Sequence, residues 1–228
     1  MIIGFAGQKQ SGKSTAADYI EATAVGPVVQ HSFADNLKEF CIKTLGLTRK
    51  QCGYDGGTDD DKNSFTEYKW DNVNEFFRRK YGKIIDLEDL QGPTKELRTG
   101  PMTAREVMQV QGEMQRRMFY RNLWVDAIFR EIDDYGEGVI HVITDIRHQN
   151  EVEKTIDADG YVIHLMKQTN NDAADSEKEL MMIDWGKYPR VYAIDNSVLT
   201  IEEKNDRIKE LLQKIIGVDL YTQKGDAG

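Results

Sequence analysis

The sequence predicts an α/β fold of three layers, a mostly parallel sheet covered by helices on both faces. Three observations carry this. Residues Gly7-Gln8-Lys9-Gln10-Ser11-Gly12-Lys13-Ser14 match the phosphate-binding pattern G-x-x-x-x-G-K-[ST] without a mismatch, between an apolar run, Met1 to Ala6, and a helix-forming stretch from Thr15. Short apolar runs then alternate with helical segments, as in a sheet wound from βαβ units. One of these runs, Val139 to Thr144, is followed by Asp145, which sets a carboxylate at the end of a strand, where α/β sheets present groups to ligands.

In chain order, Met1 to Ala6 is a short apolar run able to form a buried strand. Glycines after it let the backbone wrap around an anion, so that successive N–H groups and the positive end of the next helix point inward. In this motif the backbone from Gly7 to Thr15, with Lys9, Ser11 and Gly12, surrounds the phosphates; Lys13 reaches the β and γ phosphates, and the Ser14 hydroxyl holds Mg²⁺. Ala16, Ala17, Ile20 and Ala24 form a small-residue stripe suited to close packing on a sheet. Gly26-Pro27 breaks the chain, Val28 to Phe33 reads as a second strand, and Ala34 to Leu45 as a helix ended by Gly46. The junction from Ser32 and Phe33 to Lys38 is a ligand-facing position in such a sheet.

From about 49 to 100 the texture is that of an insertion over the substrate side. Asp55 to Asp61 is acidic and glycine-rich, has no calcium-loop spacing, and reads as a solvated loop. A short helix is expected over 72–81, with Gly92-Pro93 and Gly100-Pro101 marking another loop. Thr103-Ala104-Arg105-Glu106 has the form of a capping box and opens a helix to about Phe119. At 100° per residue Val107, Val110, Met114 and Met118 share one face, and Arg105, Gln109, Gly112 and Arg116 the other. That second set is either the wet side of an amphipathic helix or a surface approached closely by a ligand. A mid-helix glycine costs about 1 kcal/mol against alanine and so invites the second reading.

A further helix over 122–135 carries Trp124, either a packed aromatic or a stacking surface for a base. The strand ending at Asp145 contains His141, read as a packed side chain. Asp145-Ile146-Arg147 leads through Asn150-Glu151 into a short helix, and Tyr161 to Met166 is the next strand. Residues 167–188 are polar and suit a mobile lid, with Lys167 and Arg190 as candidates to close over a transferring group. Arg190 to Ile194 is the last strand. Thr200 to Glu203 is another capping box, and its helix is expected to turn Ile201, Ile208, Leu211, Leu212 and Ile215 inward. The domain reading is one domain over 1–218 and a frayed tail over 219–228.

A net charge of −9 argues against a partner made of polymeric nucleic acid or an anionic membrane, while leaving a small anionic substrate open. Cys41 and Cys52 have neither metal-ligand spacing nor a disulfide framework and read as reduced thiols. No apolar run has the length of a membrane span, and the opening Met-Ile-Ile-Gly-Phe lacks the features of a secretion signal. The expectation is a cytoplasmic protein, in the host cytoplasm if viral. Homodimerisation is left open.

Gly7 to Thr15, Ser32-Phe33-Ala34 with Leu37-Lys38, Arg105-x-x-x-Gln109-x-x-Gly112, Trp124, and Asp145-x-Arg147-x-x-Asn150-Glu151 together resemble the deoxynucleoside monophosphate kinases of tailed bacteriophages. The likeness runs in order to about residue 166 and excludes the acidic insertion and the tail. It implies a P-loop kinase fold with an inserted substrate-side region and a lid, using ATP and Mg²⁺. It also implies an acceptor nucleotide surrounded by Ser32, Phe33, Lys38, Arg105, Gln109, Gly112, Trp124, Asp145, Arg147 and Glu151. Lys13, Arg105, Asp145 and Arg147 would then stabilise the transferring group, with Ser14 and Asp145 at the metal. Glu106 stands where some relatives have a basic residue, which removes one cation from the acceptor phosphate. Two alternatives stay open: a kinase for another small phosphorylated acceptor, and a non-catalytic ATP-dependent binding protein.

Overall fold

The computed structural model describes residues 1–81, 98–167 and 180–216; for 77, 78, 80, 81, 117, 118 and 216 only the backbone is described. The chain divides into two compact units, Met1–Phe33 with Val125–Gly228, and Ala34–Trp124.

The first unit is built on five parallel strands: β1 (Ile2–Ala6), β2 (Val28–His31), β5 (Ile140–Ile146), β6 (Tyr161–Met166) and β7 (Val191–Asp195), in the order β2-β5-β1-β6-β7. Its helices are α1 (Lys13–Thr23), α6 (Leu123–Asp133), α7 (Gln149–Asp157) and α8 (Ile201–Ile216). The two-residue period of a strand sends Ile3 and Phe5 to one face, where they meet Ala16, Ala17 and Ile20 of α1 and Ile208 and Leu212 of α8. Ile2 and Ala6 point to the other face, against Val125, Ile128, Phe129 and Ile132 of α6 and Val152 of α7. These are the three layers the sequence predicts. The path from β1 to β2 steps over β5, whereas the path from β5 to β6 steps back over β1. Crossovers that leave in opposite directions open a crevice at the carboxyl ends of β1 and β5, the usual ligand position in such sheets.

The second unit holds α2 (Asp35–Leu45), α3 (Asp59–Asn63), α4 (Trp70–Tyr81) and α5 (Ala104–Met118) with an antiparallel pair, β3 (Phe65–Lys69) and β4 (Pro101–Thr103). Its core gathers Cys41, Leu47, Cys52, Trp70, Met102, Ala104, Val107 and Val110. The expected insertion over 49–100 falls within this unit, and two of its segments differ from expectation. The acidic loop closes into α3 through reciprocal bonds between Thr58 and Asp61. The loop expected at Gly100-Pro101 runs into β4, because Phe65-Thr66-Glu67-Tyr68-Lys69 alternates and offers it a partner. Of the expected lid, 168–179 lie outside the described residues, as do Gly92-Pro93 and the tail.

On α8 the periodic reading needs one correction. Ile201 is 60% exposed, and the buried position one turn later belongs to Lys204, at 2%. Among the described residues no helix is long and apolar enough to cross a membrane.

Candidate functional site: the phosphate loop and the sheet edge beside it

β1 ends at Ala6 and α1 begins at Lys13, so the residues between form the turn. Gly7 (φ 152°), Gln10 (φ 64°) and Gly12 (φ 88°) take up the positive angles that bend the backbone back on itself. At Gly7 the reason for glycine is steric as well: a Cβ would stand 2.5 Å from Ser11 Oγ and 2.6 Å from the Leu165 carbonyl oxygen. Ser11 is fully buried, and its carbonyl accepts from Asn196 Nδ2 at 2.7 Å, tying the turn to the segment after β7. Lys9, Ser14 and Thr15 are exposed. The first turn of α1 carries no acid, so the positive end of the helix is not countered there.

Lys13 is buried, and its ammonium folds back to donate to the carbonyl oxygens of Gly7 (2.8 Å) and Gln8 (2.7 Å) and to Ser11 Oγ (3.4 Å). These are neutral acceptors of the kind a phosphate oxygen would displace, since a charge-assisted bond is about twice as strong as a neutral one. Positive-φ glycines, inward lysine and uncountered helix end together fit a polyphosphate.

Asp145 stands near the end of β5, the strand paired with β1. Its Oδ2 accepts from Ser32 Oγ at 2.7 Å and its Oδ1 from the Phe33 N–H at 2.8 Å. The structure thus brings Ser32, Phe33 and Asp145 together across the ends of β2 and β5. A carboxylate oxygen accepts more than one bond, so this anchoring is compatible with orienting metal-bound water. Among the described residues no group of three or more His, Cys, Asp or Glu encloses a metal position. Mg²⁺ fits the smaller set here, because in phosphoryl-transfer sites it is held by one or two protein oxygens and the substrate's phosphates.

Glu151, 7% exposed, turns its Oε2 to the backbone N–H groups of Arg147 (2.7 Å) and His148 (3.0 Å), and so shapes the turn that presents Arg147 beside Asp145. Arg147 is half-buried as a residue and has no ion-pair partner among the described residues. His164 on β6 went unnoticed in the sequence. It stacks on Trp185 with ring centroids 4.2 Å apart, and burial, then the Lys13 charge, push its pKa down to about 4. Its Nδ1 is buried with no partner among the described residues. No local sequence signal marks it, because its setting depends on Trp185, distant along the chain. Arg190, a candidate for the lid, precedes β7 and therefore lies at the opposite edge of the sheet from the phosphate loop, paired with Asp159 at 2.7 Å. Lys167 follows β6 on the loop's own edge.

Within the second unit the remaining expected residues have different surroundings. Arg105 donates to Asn63 Oδ1 and Asp59 Oδ1, each at 2.9 Å, and so ties α5 to α3. Gly112 is buried; a Cβ there would lie 2.9 Å from Leu37 Cδ2, so the close approach that favours glycine includes helix α2. The face of α5 read as polar is therefore partly covered, with Leu37 the side chain that approaches Gly112. Gln109 is exposed. Lys38 pairs with Asp35 at 3.0 Å and lies over the Tyr54 ring. Trp124 is half-buried, and its indole N–H has no partner among the described residues.

A parallel three-layer sheet with this loop between its central strand and first helix defines a P-loop α/β protein. No protein-family model matches the sequence, and no curated protein does. Among solved structures the chain is similar to an unliganded sugar kinase from Janibacter sp. HTCC2649, at 12% identity over 97% of this chain and 98% of that one, with a TM-score of 0.39. It is similar also to thymidylate kinase from Candida albicans, at 12% identity over 93% and 91% of the two chains and the same TM-score of 0.39. Superpositions that loose have no bearing on the choice of substrate.

Proposed function

We propose that this protein is an ATP-dependent kinase that phosphorylates deoxynucleoside or nucleoside monophosphates to the diphosphates. The observation that carries the reading is the arrangement at the carboxyl edge of β1 and β5: a phosphate loop with an inward Lys13 on one strand, and Asp145 with Arg147 on its neighbour. Phosphoryl transfer asks a protein for alignment and charge stabilisation more than for covalent chemistry. Lys13 and the loop amides from Gly7 to Thr15 bind the donor phosphates. Arg147, whose planar fork suits two oxygens of one phosphate, holds the acceptor. Ser32 and the Phe33 N–H hold Asp145 in place, and Glu151 sets the backbone from which Arg147 projects. Ser14 and Asp145 are the residues that would hold Mg²⁺, which when bound supplies charge neutralisation at the transferring group. The choice of a nucleoside monophosphate as acceptor comes from the sequence resemblance.

The test is incubation with Mg-ATP and each common nucleoside and deoxynucleoside monophosphate, with diphosphate formation as the readout. At least one acceptor should give diphosphate, and Lys13→Ala should lower that rate by about 10² or more while the protein stays folded. ATP binding without acceptor-stimulated ADP release for any monophosphate would reject the proposal.

A further inference from the structure

We infer that Lys204, on the C-terminal helix α8, is a second cation of the phosphate loop, a positioning residue that holds Thr15 and the Gly12 turn ready for the phosphates of a nucleotide. This rests on the proposed reading of the loop as a nucleotide site. Lys204 is 2% exposed and its ammonium donates to the Gly12 carbonyl at 3.0 Å and to Thr15 Oγ1 at 2.5 Å. A Cβ on Gly12 would lie 3.1 Å from that ammonium, so the lysine is seated directly against the turn that starts α1.

The bonding around Gly12 shows what the lysine does. The Gly12 carbonyl accepts from the Ala16 N–H (3.0 Å), from the Thr15 hydroxyl (2.9 Å) and from Lys204. Thr15 is exposed on the loop side, and its single hydroxyl proton is turned inward to that carbonyl. With Lys204 already donating to the carbonyl and to Oγ1, the hydroxyl can rotate outward to a phosphate oxygen and leave no acceptor unsatisfied. The ammonium also adds positive charge beneath the loop, on a different element from Lys13.

The cost of the arrangement points the same way. Both oxygens that receive Lys204 are neutral, and no carboxylate lies within ion-pair distance among the described residues. Burial lowers the lysine's pKa, against a smaller opposing effect from Asp18. A buried cation with no carboxylate in contact is costly, and an apolar side chain of similar length would continue the Ile208 and Leu212 face of α8. An anion arriving in the loop adds to the weak compensation that Asp18 gives from a distance.

Lys204→Met should therefore keep or raise the melting temperature of the nucleotide-free protein and raise the dissociation constant for Mg-ATP about tenfold, measured by calorimetry without acceptor. Thr15→Val, which leaves α8 untouched, should weaken Mg-ATP binding too, and the double variant should fall short of the product of the two effects because both act on one bond network. A folded Lys204→Met with wild-type affinity, or fully multiplicative effects, overturns the assignment. Should Lys204→Met fail to fold, Lys204→Gln replaces it, and wild-type affinity in both Lys204→Gln and Thr15→Val overturns the assignment equally. Failure of the wild-type protein to bind Mg-ATP would instead remove the reading of the loop on which this rests.

Discussion

At Gly7 the backbone angle and the space available demand the same residue. A methyl group would meet Ser11 Oγ and the Leu165 carbonyl, and the latter is backbone that cannot turn aside. Gly7→Ala should destabilise the protein by about 1–3 kcal/mol in denaturant titration and abolish nucleotide binding by displacing the loop. Gly112 is a gentler case, because the atom in the way is the end of the Leu37 side chain. Two arginines of equal standing in the sequence also part company. Arg105 is engaged by Asp59 and Asn63, whereas Arg147 has no ion-pair partner among the described residues. Arg147→Ala should raise the acceptor's KM or lower kcat while leaving the dissociation constant of ATP within about twofold; a selective loss of ATP affinity would move this residue to the donor side.

Among the elements, α5 has the plainest local signal. Thr103 Oγ1 accepts from the Glu106 N–H at 3.2 Å, and Glu106 Oε2 accepts from the Thr103 N–H at 2.8 Å, as the Thr-x-x-Glu spacing foretells. The Glu106 side chain also pairs with Arg98, so the residue that stands where some relatives have a base holds α5 to the segment before β4. Thr103→Ala should cost about 1 kcal/mol, read as a lower denaturant midpoint with an unchanged slope. Helix α8 is less legible, since a hydrophobic period assigns Ile201 inward and cannot anticipate a buried lysine. Ile201 stands exposed at the helix start while Leu199 just before it packs on the core, and Lys204 enters because an oxygen acceptor waits at Gly12.

For the molecule as a whole, two histidines held neutral by their surroundings set an acid limit. His141 Nδ1 lies 3.0 Å from His31 Nε2 between β5 and β2, and burial, then the neighbouring His31, lower its pKa from 6.5 to about 4. His164 is lowered to about 4 as well. A base whose folded pKa lies below its unfolded value binds its proton more readily in the unfolded chain. The stability these two rings contribute is thus present in full above about pH 6.5 and is lost as the pH falls toward 4. The melting temperature should drop between pH 7 and pH 5, and His141→Gln should flatten part of that slope. An unchanged melting temperature over this range would show that neither ring is held neutral by its surroundings.

Read alone, the sequence determined what depends on neighbours along the chain: the phosphate loop, the capping boxes at Thr103 and Thr200, the alternation of strands and helices, and Asp145 at the end of a strand. Those signals are short-ranged, since caps, turns and periodic faces arise within a few residues. The tertiary structure alone decided what distant segments share. It set β5 between β1 and β2, covered Gly112 with Leu37, engaged Arg105 with α3, and brought Lys204 of the last helix against the first turn of α1. A side chain's partner across most of the chain's length is chosen by packing and by the need to satisfy buried polar groups, and neither is written in local spacing.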